Sequence, residues 1–420
     1  MEMNLAEESF LTDDFLRQLI NVGEVDILVG LPTHNNAKTV GSIVQTIQSG
    51  LVGAFPRERA VILNVDAGSR DNTPELVTSI SIDDMRPASN LHALRTLHSI
   101  STQCEASPAK GAFRTVLAAA ELLRARACVL LSPDSTNIQP EWIATLLRPI
   151  YHDGIDLVTP TYCRHKFDGL LITNLLYPMV RALYGLKIRE AYATEFSFSG
   201  RLGSQFLSQN SWDDGAGAEL RFILAAITAK FRICQSYLGE KIHVERRASD
   251  LVPALRETVG SLFTALDPDL PFWSAVTGSQ PVTTIGSEHE VCLGPLRINR
   301  KRLREMFATG VNELESVFES ILSPATLAEL QRIAGMEEED FAYPAELWVK
   351  TVYEFAASYR KSVINRDHII QAMAPLFRGR ACTFLTENRN SSADEVESNV
   401  ESLCVDFERL KPYLQQLWNV

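Results

Sequence analysis

Ala60-Val61-Ile62-Leu63-Asn64-Val65-Asp66-Ala67-Gly68-Ser69-Arg70-Asp71-Asn72-Thr73 is the stretch on which the fold turns. Ala60 to Val65 is apolar and β-branched, the composition of a strand buried in a sheet. The small and acidic run from Asp66 to Asn72 then forces a turn. Thr73 and Pro74 supply a helix cap and a first-turn proline. Strand, acidic turn and helix in that order make half of a βαβ unit.

The same unit recurs outward in both directions. A short amphipathic helix is expected near Asp13 to Asn21, capped by Thr12 or Asp13. Val25 to Leu31 reads as a buried parallel strand ending in Pro32-Thr33-His34-Asn35-Asn36, with a helix from Val40 to Ser49. Ala112 to Ala125 is an alanine- and leucine-rich helix, and Ala127 to Leu131 a strand ending in Ser132-Pro133-Asp134-Ser135. Pro140-Glu141-Trp142 starts another helix, and Asp156 to Thr161 is a further strand. Strands and helices alternating at this spacing predict an α/β fold with a right-handed, mostly parallel sheet.

Beyond Thr161 the pattern loosens. Phe167 to Tyr184 and Glu219 to Ala229 read as helices, and Arg232 to Leu238 as a strand leading to Lys241-Ile242-His243. After Thr264 helical periodicity takes over, over Met306 to Leu322, Pro324 to Ile333, Ala345 to Lys361 and Arg366 to Leu376. Met336 to Asp340 and Thr386 to Glu397 read as polar surface connectors. No internal repeat is visible. The expected layout is an α/β domain over residues 1–265 and a helical domain over 266–420.

Composition bounds the function. Of 420 residues, 45% are hydrophobic, and 40 Lys+Arg against 52 Asp+Glu give a net charge of −12. Such a balance argues against coating nucleic acid or an anionic membrane, though not against a local basic site for one phosphorylated ligand. No apolar run approaches the roughly 20 residues that span a bilayer. Met1 to Leu11 is acidic and lacks the pattern of a signal peptide. The seven cysteines are scattered, without a CxxC, and are expected to be free buried thiols in a reducing cytoplasm.

Open α/β sheets bind ligands outside the carboxyl ends of their strands. Three strand ends here are polar or acidic: Pro32-Thr33-His34-Asn35, Asp66-Ala67-Gly68-Ser69 and Asp134-Ser135. Neither GxGxxG after the first strand nor GxxxxGK[ST] occurs, so the two commonest nucleotide loops are absent. A nucleotide would then be held by backbone groups after the first strand and by Asp66, a carboxylate suited to a ribose or base. Polar residues at strand ends are also the default for any loop, so each piece alone says little.

Together, Leu31-Pro32-Thr33-His34-Asn35-Asn36, Asp66 to Thr73, Pro108-Ala109-Lys110-Gly111 and Asp134-Ser135 form an ordered set. It resembles the GT-A glycosyltransferases of the family 2 type, over roughly residues 25 to 265. Those proteins read P-x-Y/H-N-E, D-x-G-S-x-D-x-T, a Lys-Gly before a helix, and D-x-D. A narrower likeness is to mannosylglycerate, glucosylglycerate and glucosyl-3-phosphoglycerate synthases. Pro108 to Gly111 is similar to their P-G-K-G, Gly215-Ala216-Gly217-Ala218-Glu219 to their G-x-G-x-E/D, and His243 stands where they carry a metal-bound histidine. A helical C-terminal extension also matches.

The resemblance implies a metal-dependent, retaining transfer of a hexose from a UDP- or GDP-linked donor to a small hydroxylated acceptor such as glycerate or a polyol. Leu31, Pro32, Thr33, Asn35, Asp66, Gly68, Ser69, Lys110 and Gly111 would hold the nucleotide. Asp134 and His243 would ligate Mg²⁺ or Mn²⁺. Glu219, Asp134 and Asp214 would serve the reaction, with Thr194, Glu195 and Asp213 near the acceptor. Asp213-Asp214 before Gly215 is equally a good turn. The D-x-D is degenerate, since Asp134-Ser135-Thr136 ends in a hydroxyl. Glu190 to Gly200 carries Ala193-Thr194-Glu195 where the resembling loop has glycines. Lys166 and Arg246-Arg247 offer anion contacts or ordinary surface charge. A non-catalytic sugar-nucleotide-binding or scaffold protein is the reading of another class. A nucleotidyltransferase is disfavoured by Pro32 to Asn35 in place of a glycine-rich phosphate loop. A homodimer through the helical region stays open beside core-only use of its apolar faces.

Overall fold

The computed structural model describes residues 11–83, 96–104, 108–209, 217–242, 251–287, 290–293 and 298–419. The chain divides into two compact units. One comprises Met1–Tyr162, Ala193–Arg246 and Thr283–Glu288, and the other Cys163–Tyr192, Arg247–Val282 and His289–Val420. The division therefore does not fall at one point near residue 265, because segment 163–192 groups with the later helices.

The strands in chain order are β1 (Ile27–Thr33), β2 (Arg59–Asp66), β3 (Thr96–Gln103), β4 (Ala127–Leu130), β5 (Leu157–His165), β6 (Leu186–Lys187), β7 (Phe196–Ser199), β8 (Ile233–Glu240), β9 (Gln280–Pro281), β10 (Thr284–Ile285) and β11 (Glu290–Cys292). In the first unit the sheet order is β10-β8-β5-β7-β4-β1-β2-β3. β1 runs parallel to both β2 and β4, and β2 parallel to β3. β7 runs antiparallel to both β4 and β5. The sheet is thus mostly parallel, as the alternating pattern predicts.

β1 shows why these runs are strands. Ile27, Val29 and Leu31 pack into a core with Val40, Ile43, Val44 and Ile47 of the helix Val40–Ala54 and with Trp142, Ile143, Leu146 and Leu147 of the helix Pro140–Asp153. Each such large side chain contributes about 1.5–3 kcal/mol on burial. On the opposite face Gly30 lies under the helix Pro108–Leu122, and a Cβ there would stand 2.8 Å from Val116 Cγ1. Only glycine lets that helix approach. β3 escaped the sequence reading because Thr96 to Gln103 is mostly polar, the composition of a strand at the end of the sheet order. Phe196–Ser199, expected as part of an acceptor loop, is strand β7.

The second unit is mainly helical. Arg300–Glu313, Ala345–Lys361, Arg366–Glu387 and Ala393–Trp418 are its longest helices. Trp348, Tyr343 and Phe307 pack in its interior, and Trp348 Nε1 donates to the Asn174 carbonyl at 2.7 Å. Two expectations are corrected here. The helix from Arg366 runs on past Leu376, through Pro375, to Glu387. The supposed connector 386–397 contains the start of a 26-residue helix, launched by a capping box of Ser392 and Glu395. Lys166 Nζ donates to the carbonyls of Asn388, Arg389 and Ser391 at 2.9, 3.0 and 3.2 Å, just past the preceding helix, where a cation complements the carbonyl end of the helix. Lys166 is thereby engaged internally, which overturns its reading as an anion contact.

The cysteine expectation is also corrected. Cys163 and Cys292 form a disulfide across 129 residues of sequence. β11 pairs in parallel with the end of β5, setting Glu290 opposite Cys163 and Cys292 opposite His165. Pairing at that separation leaves no trace in cysteine spacing. Cys128, Cys234, Cys382 and Cys404 are buried thiols. Among the described residues no helix is long and apolar enough to cross a membrane.

Candidate active site

β1 lies between β2 and β4, so the chain order reverses there and the carboxyl ends of all three strands adjoin. Such a switch point opens the crevice in which α/β sheets hold ligands.

The loop after β2 is organised by Asp66. Its Oδ2 accepts from the backbone N–H of Gly68 at 3.0 Å and of Ser69 at 2.8 Å. Its Oδ1 accepts from the Ser69 hydroxyl at 2.5 Å and the Thr33 hydroxyl at 3.0 Å. Asp66 is fully buried, and four bonds match the acceptor capacity of a carboxylate. It shapes the loop, which corrects its expected direct contact with ribose or base. Gly68 takes φ +79°, a left-handed conformation that favours glycine. Farther along, Asp71 Oδ2 accepts from Ala37 N–H at 3.0 Å, and its Oδ1 from the Thr73 hydroxyl at 2.5 Å. That hydroxyl bond, followed by backbone N–H bonds from Ala37 and Thr73, holds the Asp71 carboxyl below its ordinary value.

The loop after β1 is stitched to this one. Asn35 is left-handed at φ 57°, tolerated by asparagine. Its N–H donates to Ser69 Oγ at 2.8 Å, and its Oδ1 accepts from Arg70 N–H at 2.9 Å. Asn36 is buried: its N–H donates to Thr73 Oγ1 at 2.9 Å and its Oδ1 accepts from His34 N–H at 2.7 Å. Its Nδ2 crosses to the third loop and donates to Asp134 Oδ1 at 3.0 Å. Thr39 Oγ1 makes a second crossing to the Pro133 carbonyl at 2.8 Å.

Beneath Asp134 lies a buried polar network. Ser135 donates to Glu195 Oε1 at 2.5 Å, and Tyr162 donates to Glu195 Oε2 at 2.8 Å. Lys241 Nζ pairs with Glu195 Oε2 at 2.6 Å, and the Thr194 hydroxyl donates to the same oxygen at 3.0 Å. Burial pushes the Glu195 carboxyl up, but the Lys241 ammonium with bonds from Lys241, Ser135 and Tyr162 outweighs it and holds the group at about 2. Glu195 has no exposed surface, which overturns its expected contact with an acceptor. Thr194 is half-buried and accepts from Lys241 Nζ at 3.3 Å.

The three loops thus bring together Pro32, Thr33, Asn35, Asp66, Gly68, Ser69 and Asp134. Leu31 is fully buried in the core, not in the loop. Gly111 lies in the first turns of the helix Pro108–Leu122; Lys110 is in the same helix, with its side chain outside the description. Glu219 is in the first turn of the helix Ala218–Thr228. Asp213, Asp214, His243, Arg246 and Arg247 lie outside the described residues. Asn36, Lys241 and Tyr162 were not singled out as site residues; only Asn36 carried a signal, standing at the acidic position of P-x-Y/H-N-E.

As a metal ligand Asp134 fits in chemistry and place, a half-buried carboxylate at the switch point. The Thr136 hydroxyl, at the third D-x-D position, donates to the Ile242 carbonyl at 3.3 Å. Among the described residues no group of three His, Cys, Asp or Glu is placed to hold a metal. A cavity of about 540 Å³ opens at the opposite, amino edge of the sheet, where Arg201 pairs with Asp156 at 2.7 Å.

No protein-family model and no curated protein matches the sequence. Similar solved structures include glucosyl-3-phosphoglycerate synthase from Mycobacterium tuberculosis in complex with Mn²⁺, UDP-glucose and phosphoglyceric acid, at 21% identity over 61% of this chain and 83% of that chain, TM-score 0.42. The same enzyme with Mg²⁺ and UDP is similar at 20% identity over 60% and 82%, TM-score 0.43. A mycobacterial protein is similar at 19% identity over 60% and 77%, TM-score 0.43.

Proposed function

We propose that the chain is a metal-dependent glycosyltransferase moving a hexose from a nucleotide diphosphate sugar to a small hydroxylated acceptor. The observation that carries this reading is the Asn36–Asp134 bond at the switch point, flanked by the loop that Asp66 builds. It supports the reading by linking the loops that carry P-x-Y/H-N-E, D-x-G-S-x-D-x-T and the remaining D-x-D acid. Backbone groups of the loops after β1 and β2 hold the nucleoside, with Asp66 fixing the shape of the second loop. Asp134, with His243, would hold Mg²⁺ or Mn²⁺, which when bound neutralises charge on the leaving diphosphate. In a chain of net charge −12, positive charge at the diphosphate has to be local. A UDP- or GDP-linked donor, an acceptor of the glycerate or polyol kind, and retention follow from the motif resemblance. Glu219, Asp213 and Asp214 are the acids proposed beside the transferred sugar.

One observation favours a second reading, a non-catalytic sugar-nucleotide binder: the segment Asp134-Ser135-Thr136 carries a hydroxyl where a D-x-D has its second acid. The test is a panel of UDP- and GDP-sugars scored for thermal protection and for transfer or hydrolysis, with and without Mn²⁺. Metal-dependent protection with turnover, both lost in Asp134→Ala, is expected. Protection without turnover selects the second reading. Binding indifferent to Mn²⁺ overturns the metal assignment.

A further inference from the structure

We infer that the buried Glu195–Lys241 pair is a positioning device that locks the Asp134-Ser135 turn to the chain end leaving β8. The inference rests on the proposed role of Asp134 for its functional meaning, but its geometry stands apart.

Glu195 gathers four donors from four places in the chain. Ser135 follows β4, Tyr162 belongs to β5, Thr194 precedes β7 and Lys241 follows β8. The ammonium also stands 4.7 Å from the centre of the Tyr162 ring. Lys241 is 4% exposed and Glu195 not at all, so both charges are fully taken out of water. Apolar residues of similar volume commonly stabilise as well as a buried ion pair does, so stability alone does not explain this one. What the pair adds is direction: one donor on Oε1 and three converging on Oε2 fix the carboxylate and the segments that carry its donors.

A second set of bonds ties the same two segments above it. Thr136 N–H donates to the Ile242 carbonyl at 3.0 Å, and Ile242 N–H to Asn137 Oδ1 at 3.0 Å. Asn137 Nδ2 donates to the Glu240 carbonyl at 2.6 Å. Segments 134–137 and 240–242 therefore form one rigid junction with an ionic base. Asp134 sits at one end of it, and His243 is the next residue in sequence after the other.

The test compares wild type with Glu195→Gln, Lys241→Met and the charge-neutral double variant, the last keeping side-chain volume and leaving no unpaired charge buried, so that folding is preserved. Amide hydrogen exchange is read in the ligand-free protein at 134–137 and 240–242, with β2 as the internal control. The expected result is exchange about tenfold faster in both segments together, with β2 unchanged and with the double variant restoring the melting temperature but not the protection. In the same variants the Mn²⁺ concentration giving half-maximal UDP or GDP binding should rise about tenfold, a readout that a merely structural role would not move. Wild-type protection in the double variant, or loss spread evenly over β2, overturns the inference. If wild type binds neither nucleotide, the donor reading fails, and the exchange result still decides the junction.

Discussion

Asn36 Nδ2 reaches Asp134 Oδ1 at 3.0 Å, across 98 residues of sequence and from one side of the switch point to the other. Asn36 also closes its own loop through His34 and Thr73, so one side chain sets two loops. Asn36→Ala should lower stability by about 1–2 kcal/mol, the scale of buried hydrogen bonds lost without replacement. Metal-dependent nucleotide affinity should fall about tenfold as Asp134 loses this orienting bond. Denaturant titration and calorimetry check the two effects separately.

Asp66→Asn retains size but turns one acceptor into a donor. The NH₂ group would then meet the Gly68 and Ser69 N–H groups or, with the amide turned over, the Thr33 and Ser69 hydroxyls, which would lose the acceptor they donate to. About 2–3 kcal/mol of destabilisation is expected for buried donors left unsatisfied. A melting temperature equal to that of wild type would contradict the loop-building role.

Gly30→Ala places a methyl 2.8 Å from Val116 Cγ1 and 2.9 Å from Cγ2. Overpacking of this kind costs about 1–3 kcal/mol. The double variant Gly30→Ala/Val116→Ala should recover part of that loss, which urea unfolding of the three proteins will measure.

The Glu195 carboxyl is held near 2, against an ordinary value of 4.5. The unfolded chain therefore takes up a proton first as pH falls. The pair's contribution is full above pH 4.5 and is lost between about 4.5 and 2. Wild-type stability should fall across that window by about 3 kcal/mol more than that of Glu195→Gln. Parallel pH profiles for the two proteins would contradict the pairing.

Peptide mapping without reductant should recover Cys163 and Cys292 in one linked fragment. Replacing both by Ala should cost about 2–5 kcal/mol, the usual worth of a native disulfide. The change is read as a drop in melting temperature that reductant reproduces in wild type but not in the variant.

The sequence made β1, β2 and β4 legible because strands covered on both faces are written in unbroken apolar residues such as Ile27 to Leu31. β3 and β7 were not, since Thr96 to Gln103 is mostly polar and Phe196 to Ser199 spans only four residues. The helix starting at Ala393 hid behind a polar stretch whose capping serine also suits a loop. In the site, Asp66 was found as a motif residue, but its burial and four internal bonds belong to the tertiary structure. Lys241 and Glu195 meet across 46 residues, and no local pattern couples them.

The reversed direction of β7 has a consequence for how new chemistry can enter this sheet. Its parallel neighbours deliver residues to the ligand edge as they end, whereas β7 delivers Thr194 and Glu195 before it begins. A survey that walks only past strand termini would miss them. Insertions between Tyr192 and Phe196 would therefore act from the upstream side, by displacing Thr194 and Glu195 from Ser135, Tyr162 and Lys241.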